Sequence, residues 1–198
     1  MSDSPLGILG GTFDPVHNGH LATACLAIDY FKLEKLLLIP CGNPPHKNSS
    51  VHASPDQRLK MLEIALLDTK SMEIWDGEVF REGFSFTHET LGLLRQKYPE
   101  RPLYFIIGSD NLPQIKTWKS FEKIIEMVVF CVAYRPGNDL VIPAELKDAK
   151  IKHFPSPKWE LSSSDIREYF KSGYSCSYLV PESVLGYIAE NKIYGTAR

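Results

Sequence analysis

Two histidines three residues apart, His17 and His20, close the run Gly10-Gly11-Thr12-Phe13-Asp14-Pro15-Val16-His17-Asn18-Gly19-His20. Imidazoles at i and i+3 around a helix start share one side, so both can donate hydrogen bonds to a single phosphate group. The apolar segment Leu6-Gly7-Ile8-Leu9 leads straight into the paired glycines. Glycines let a backbone approach a phosphate closely, and a helix beginning near Asn18 turns its free N–H groups and positive dipole end toward the same point. The combination reads as a nucleoside triphosphate site. Each residue type also has a plainer use, since Gly, Asp and Pro punctuate turns and a histidine can lie on a helix surface. Two glycines, a hydroxyl, a carboxylate and two imidazoles in one short run is a costly way to build a turn. Zinc on His17 and His20 is a geometric alternative, but no third ligand of the expected kind stands nearby.

Five further residues or groups of residues carry candidate chemistry. In Leu161-Ser162-Ser163-Ser164-Asp165-Ile166-Arg167 a capping serine leaves helix amides for a phosphate, and Arg167 lies one turn beyond Ser163 on the same face. That is a leaving-group clamp or an ordinary capped helix with an exposed arginine. Pro44-Pro45-His46-Lys47 places a basic pair on a loop stiffened by proline, suited to an anion or simply solvated. Asp110 follows Gly108 and an apolar strand, a position from which a carboxylate accepts hydrogen bonds from ribose hydroxyls. Trp118, between Thr117 and Lys119, suits a rim or ligand role somewhat better than full burial. Arg135, also beyond a strand, suits a substrate anion or a surface salt bridge.

The first run and the Ser162–Arg167 segment, in that order, resemble the two signatures of the nucleotidylyltransferase superfamily, and most of the chain is similar to the bacterial nicotinate mononucleotide adenylyltransferases. The resemblance implies transfer of AMP from ATP to nicotinate mononucleotide, giving nicotinate adenine dinucleotide and pyrophosphate, by direct attack without a covalent enzyme intermediate. It implies Mg²⁺ carried by the triphosphate, with no dedicated protein cage. His17, His20 and Arg167 are then the catalytic candidates. Gly10, Gly11, Thr12, Phe13, Gly108, Asp110, Ser162 and Ser163 join them as candidates for ATP binding. On the mononucleotide side stand His46 and Lys47 near the phosphate, Phe86 and Thr87 of Ser85-Phe86-Thr87 with Trp118 at the flat ring, and Arg135. Many relatives carry Tyr at the position of Phe86, which removes a hydroxyl contact but keeps stacking.

These residues need a scaffold that gathers them. Strand-like runs at Leu6 to Leu9, Lys35 to Ile39, Met72 to Trp75, Leu103 to Ile107, Val128 to Ala133 and Ile151 to Phe154 alternate with helical patterns at Leu21 to Phe31, Ser54 to Leu67 and Thr87 to Tyr98. Alternation of this kind predicts an α/β fold, Rossmann-like, with a mostly parallel sheet flanked by helices. Ser54-Pro55-Asp56-Gln57 is a helix start signal in which Ser54 caps and Gln57 reaches back. Helices over about Ser163 to Lys171 and Pro181 to Asn191 form a small C-terminal helical part. Gly137 to Lys150 reads as a surface excursion, and Gly42 to Ser54 as a loop able to close over substrate. Several polar motifs, at residues 10–20, 42–47, 108–110 and 134–137, follow strands, where open parallel sheets bind ligands.

At 198 residues and a formal charge of −2, the chain suits one nucleotidylyltransferase domain spanning 1–198, and no basic field for nucleic acid or an anionic membrane is present. The absence of a signal-like N-terminus and of a long apolar run predicts a cytoplasmic protein. Cys25, Cys41, Cys131 and Cys176 form no Cys-x-x-Cys pair and read as reduced, mostly core thiols. Self-association into a homo-oligomer stays open. So do three other activities: adenylylation of nicotinamide mononucleotide, adenylylation of phosphopantetheine, and nucleotide sensing without turnover. A tRNA-charging fragment would need a longer, more basic chain.

Overall fold

The computed structural model describes residues 4–43, 51–134, 142–157 and 161–195, with Asp110 and Glu145 described for the backbone alone. Six parallel strands, β1 (Leu6–Gly11), β2 (Lys35–Pro40), β3 (Met72–Ile74), β4 (Leu103–Gly108), β5 (Val128–Tyr134) and β6 (Lys150–Pro155), form one sheet in the order β3-β2-β1-β4-β5-β6. The expected mostly parallel sheet is parallel throughout. Between the strands run α1 (Asn18–Phe31), α2 (Pro55–Ala65), α3 (Thr87–Lys97) and α4 (Phe121–Met127), followed by α5 (Ser163–Lys171) and α6 (Glu182–Glu190).

The central strands β1, β2, β4 and β5 read as apolar runs because helices cover both faces, whereas β6 at the edge leaves Lys150, Lys152 and His153 exposed. In β2, Leu36 and Leu38 enter one core with Ala24, Ala27, Met61 and Ile188, while Leu37 and Ile39 enter the other with Leu91, Leu94 and Ile124. The side of the first core carries α1, α2, α5 and α6; the second carries α3 and α4. Gly7 permits close packing at the α1–β2 corner, since a Cβ there would stand 2.7 Å from Leu33. The start signal at residue 54 forms as expected: Ser54 Oγ accepts from the Gln57 N–H at 3.2 Å and Gln57 Oε1 accepts from the Ser54 N–H at 2.8 Å.

Two elements escape the hydrophobic pattern. A 3-10 segment, Ser109–Thr117, contains Pro113, which breaks helical periodicity, and α4 spans only 7 residues. Of the four thiols, Cys131 and Cys176 are buried, but Cys41 is half-buried and Cys25 is exposed. The expectation of mostly core thiols therefore holds for two of them, and Cys25 sits on the outer face of α1. Within the Gly137–Lys150 excursion, the described part holds a short 3-10 turn, Ala144–Leu146.

Candidate active site

β1 pairs with β2 on one side and β4 on the other, so strand order reverses at the carboxyl end of β1. Such a switch point opens a crevice between diverging loops. Here it forms a cleft of about 850 Å³ lined by Gly10, Gly11, Thr12, Phe13, Asp14, His17 and His20 from the β1–α1 loop, Gly108 and Trp118 from the β4 side, and Ser162, Ser163 and Arg167 from α5.

The loop after β1 folds back on itself. Phe13 takes a left-handed φ of 51° and buries its ring, and a Cβ on Gly11 would stand 2.9 Å from that ring. Glycine is required at residue 11 for that reason. Phe13 in turn meets the His20 ring edge-on, with centroids 4.9 Å apart. His17 caps α1, and its ring stacks on His20 at 3.6 Å with 24° between planes. The His17 N–H donates to His20 Nδ1 at 3.3 Å, so hydrogen-bond geometry assigns the proton of a neutral His20 ring to Nε2. Burial pushes the His17 pKa down to about 4 against an opposing pull from Asp165. A neutral His17 can lie flat on its neighbour without charge repulsion. The helix start itself differs from expectation in one respect: the Asn18 N–H is taken by the Leu179 carbonyl oxygen at 2.9 Å.

The second signature packs directly on the first. Ser162 caps α5, with its Oγ accepting from the Asp165 N–H and the Asp165 carboxylate accepting from the Ser162 N–H. Ser163 Oγ donates to the Pro15 carbonyl oxygen at 2.9 Å, and Arg167 Nη1 donates to the Asp14 carbonyl oxygen at 2.8 Å. Segments about 150 residues apart in sequence thereby become one wall. With the Asp165 N–H taken by the cap, the Ser163 and Ser164 N–H groups open the first turn, where helix amides suit an anion.

Three buried polar residues organise this wall and were not singled out from sequence. Asp14, 1% exposed, accepts from the His52 and Ala53 N–H groups and from the Tyr194 hydroxyl. Arg58, fully buried, donates Nη1 to the carbonyls of Thr12 and Cys41 and Nη2 to that of Gly42. Asp14 lies inside the first motif, where its carboxylate counts toward the density of polar groups, but nothing local assigns it these partners. Arg58 shares the i, i+3, i+4 face of α2 with buried Met61 and Leu62, and a lone arginine on an apolar stripe was the available signal. Nothing near residue 194 signalled Tyr194.

The mononucleotide candidates are more dispersed. Trp118 is half-buried, borders the cleft and meets Phe105 edge-on at 5.9 Å. Phe86 and Thr87 begin α3 away from the cleft wall, yet Lys119 places its Nζ 3.8 Å over the Phe86 ring and so ties them to Trp118. Asp110 lies in the 3-10 segment beside Gly108, on its backbone alone. His46, Lys47 and the whole Pro44–Lys47 loop lie outside the described residues, as does Arg135. Asn43, at the edge of that loop, accepts from the Ser85 N–H at 3.1 Å. A Cβ on Gly42 would stand 2.0 Å from the Glu78 carbonyl oxygen, so the chain leaving β2 lies hard against residues 78–85. Among the described residues, no group of three or more His, Cys, Asp and Glu side chains converges to hold a metal ion.

A doubly wound sheet whose switch-point cleft joins these two signatures defines a nucleotidyltransferase, and the cytidylyltransferase-like family model matches residues 8–169. The chain belongs to that family and, within it, to the nicotinate-nucleotide adenylyltransferases. It is 41% identical to a probable nicotinate-nucleotide adenylyltransferase of Desulfitobacterium hafniense, over 96% of this chain and 95% of that one. It is 36% identical to the nicotinate-nucleotide adenylyltransferase of Bacillus subtilis, over 96% and 97%. The fold also matches the solved Plasmodium falciparum nicotinic acid mononucleotide adenylyltransferase, with a TM-score of 0.76, 98% of each chain covered and 19% identity.

Proposed function

We propose that this protein transfers the adenylyl group of ATP to nicotinate mononucleotide. An oxygen of the mononucleotide phosphate attacks the α-phosphorus, the bond from that phosphorus to the β-phosphate bridging oxygen breaks, and pyrophosphate leaves with the electron pair. The reaction needs no protein nucleophile; positioning and stabilisation of charge around phosphorus suffice. His20 Nε2–H and the neutral His17 ring serve as donors to the α- and β-phosphates. Thr12 and the Gly10 and Gly11 amides line the approach, with Phe13 backing His20. Arg167 and the first turn of α5 with Ser162 and Ser163 hold the leaving group. Gly108 and Asp110 lie on the nucleoside side. Magnesium enters as part of the Mg·ATP substrate.

The observation that carries this reading is the contact of Ser163 and Arg167 with the loop that bears the stacked histidines. It brings the candidate phosphate-binding groups of two motifs far apart in sequence to one cleft. The names of the relatives direct the acceptor toward nicotinate mononucleotide, with Trp118 as the ring partner and Phe86, Thr87, His46, Lys47 and Arg135 as its further contacts. A single-domain, cytoplasmic protein is part of the same reading; among the described residues, no helix is long and apolar enough to cross a membrane.

The test is to incubate the purified protein with Mg·ATP and, separately, nicotinate mononucleotide, nicotinamide mononucleotide and phosphopantetheine, identifying products by mass spectrometry. The acid mononucleotide is expected to give the dinucleotide fastest. No product from either mononucleotide overturns the reading.

A further inference from the structure

Tyr194 occupies a short 3-10 turn, Ile193–Gly195, near the opposite end of the chain from the glycine-rich loop, and holds a left-handed φ of 62°. Its ring stacks on Phe170 of α5, with centroids 5.8 Å apart and 7° between planes. Its hydroxyl donates to Asp14 Oδ1 at 2.7 Å in a buried contact. Burial and the adjacent Asp14 carboxylate push the phenol well above its ordinary range, so it remains a protonated donor.

Asp14 is well supplied with donors before any arginine is counted. Oδ1 also accepts from the Ala53 N–H at 3.0 Å, and Oδ2 accepts from the His52 N–H at 2.9 Å. Arg167 Nη1 stands 3.7 Å from Oδ2. Its closer bonds go to neutral oxygens, the Asp14 carbonyl at 2.8 Å and Ser164 Oγ at 3.1 Å, and its Nε is buried without a partner among the described residues. A guanidinium locked fork-on-fork to a buried carboxylate is hard to draw away, because the abandoned charge would be left uncompensated. One resting on a carbonyl and a hydroxyl can turn to an incoming phosphate at little loss.

We propose that Tyr194 is a positioning residue for the transfer reaction: by satisfying Asp14 it keeps Arg167 out of a bidentate pair and available to the triphosphate. The inference rests on the adenylyl-transfer reading above and extends it to a residue outside both signatures.

Tyr194→Phe removes the hydroxyl and keeps the stacked ring. It is expected to lower kcat about tenfold and to weaken binding of a non-hydrolysable ATP analogue several-fold, while KM for the mononucleotide stays within about twofold. Tyr194→His, which restores a ring N–H donor, is expected to recover part of the lost kcat. Phe170→Leu loosens the same stack without touching the hydroxyl, and is expected to lower the thermal midpoint while keeping kcat. Wild-type kcat and analogue affinity in Tyr194→Phe would overturn the proposal. So would an equal loss of kcat in Phe170→Leu, which would reduce Tyr194 to bulk packing. A wild-type protein that makes no dinucleotide would defeat the functional reading instead, and analogue affinity in the three variants would still decide whether Tyr194 governs triphosphate binding.

Discussion

The stacked histidines divide one task between two environments. His17 is 4% exposed and its pKa sits at about 4, whereas the unfolded chain gives it an ordinary value near 6.5. Between those values the unfolded state binds the extra proton and the folded state does not, so stability rises with pH across the window. The contribution is fully present above pH 6.5 and is lost as pH falls from 6.5 toward 4. The span corresponds to about 3 kcal/mol at roughly 1.4 kcal/mol per unit. Urea midpoints measured across this window should fall on acidification, and His17→Asn should flatten that dependence; an unchanged slope in the variant would assign the acid lability elsewhere. His20 is the outer partner: its Nδ1 accepts from the His17 N–H, and in the proposed reaction its ring N–H donates to charge that grows in the transition state. Loss of such a donor typically lowers turnover by about 10²-fold or more. His20→Ala should therefore lose about two orders of magnitude in kcat with KM for the mononucleotide little changed; near wild-type turnover would remove His20 from the phosphate site.

At the scale of elements, periodicity located the central strands well because β1, β2, β4 and β5 are short, largely buried apolar runs, whereas β6 at the sheet edge exposes Lys150, Lys152 and His153. The helix over Ser163–Lys171 was legible from its serine cap and its ending before Gly173. What lay beyond reach was tertiary hydrogen bonding: no local pattern says that Arg58 on α2 reaches three carbonyls, or that Tyr194 finds Asp14. The site was legible to the same degree. Its phosphate half lies in two contiguous motifs, whereas its acceptor half is scattered over loops whose convergence depends on packing. Arg58 shows what that packing demands. Its guanidinium joins the carbonyls of Thr12, Cys41 and Gly42, tying the loop after β1 to the loop after β2. Arg58→Met should remove three hydrogen bonds to half-buried carbonyls and lower stability by about 3 kcal/mol, and Arg58→Lys should rescue little, because one ammonium cannot reproduce the planar fork. Thermal melts of the two variants check this; a Lys variant as stable as wild type would mean that charge, not geometry, is what the site requires.

Across the whole molecule, Ser163 on Pro15 and Arg167 on Asp14 join the second signature to the first, and a triphosphate in the cleft would add a second bridge between the same two walls. A ligand that binds the folded state alone stabilises it by about 2.7 kcal/mol at a hundredfold excess over its Kd. For a chain of 198 residues, each kcal/mol moves the midpoint by roughly 2–4 °C, so saturating Mg·ATP should raise Tm by about 5–10 °C. In the proposed binding mode the phosphates supply most of that shift, because the walls they would bridge carry the helix N-terminus, the arginine and the histidines, whereas the adenosine would meet the β4 side of the cleft. Adenosine at the same concentration should accordingly move Tm by no more than about a third as much. Arg167→Ala should shrink the ATP increment toward the adenosine value while leaving the adenosine increment alone, whatever the variant does to the unliganded Tm. Differential scanning fluorimetry of both proteins with both ligands separates these terms; an ATP increment in Arg167→Ala equal to that of the wild type would show that α5 stands beside the triphosphate without holding it.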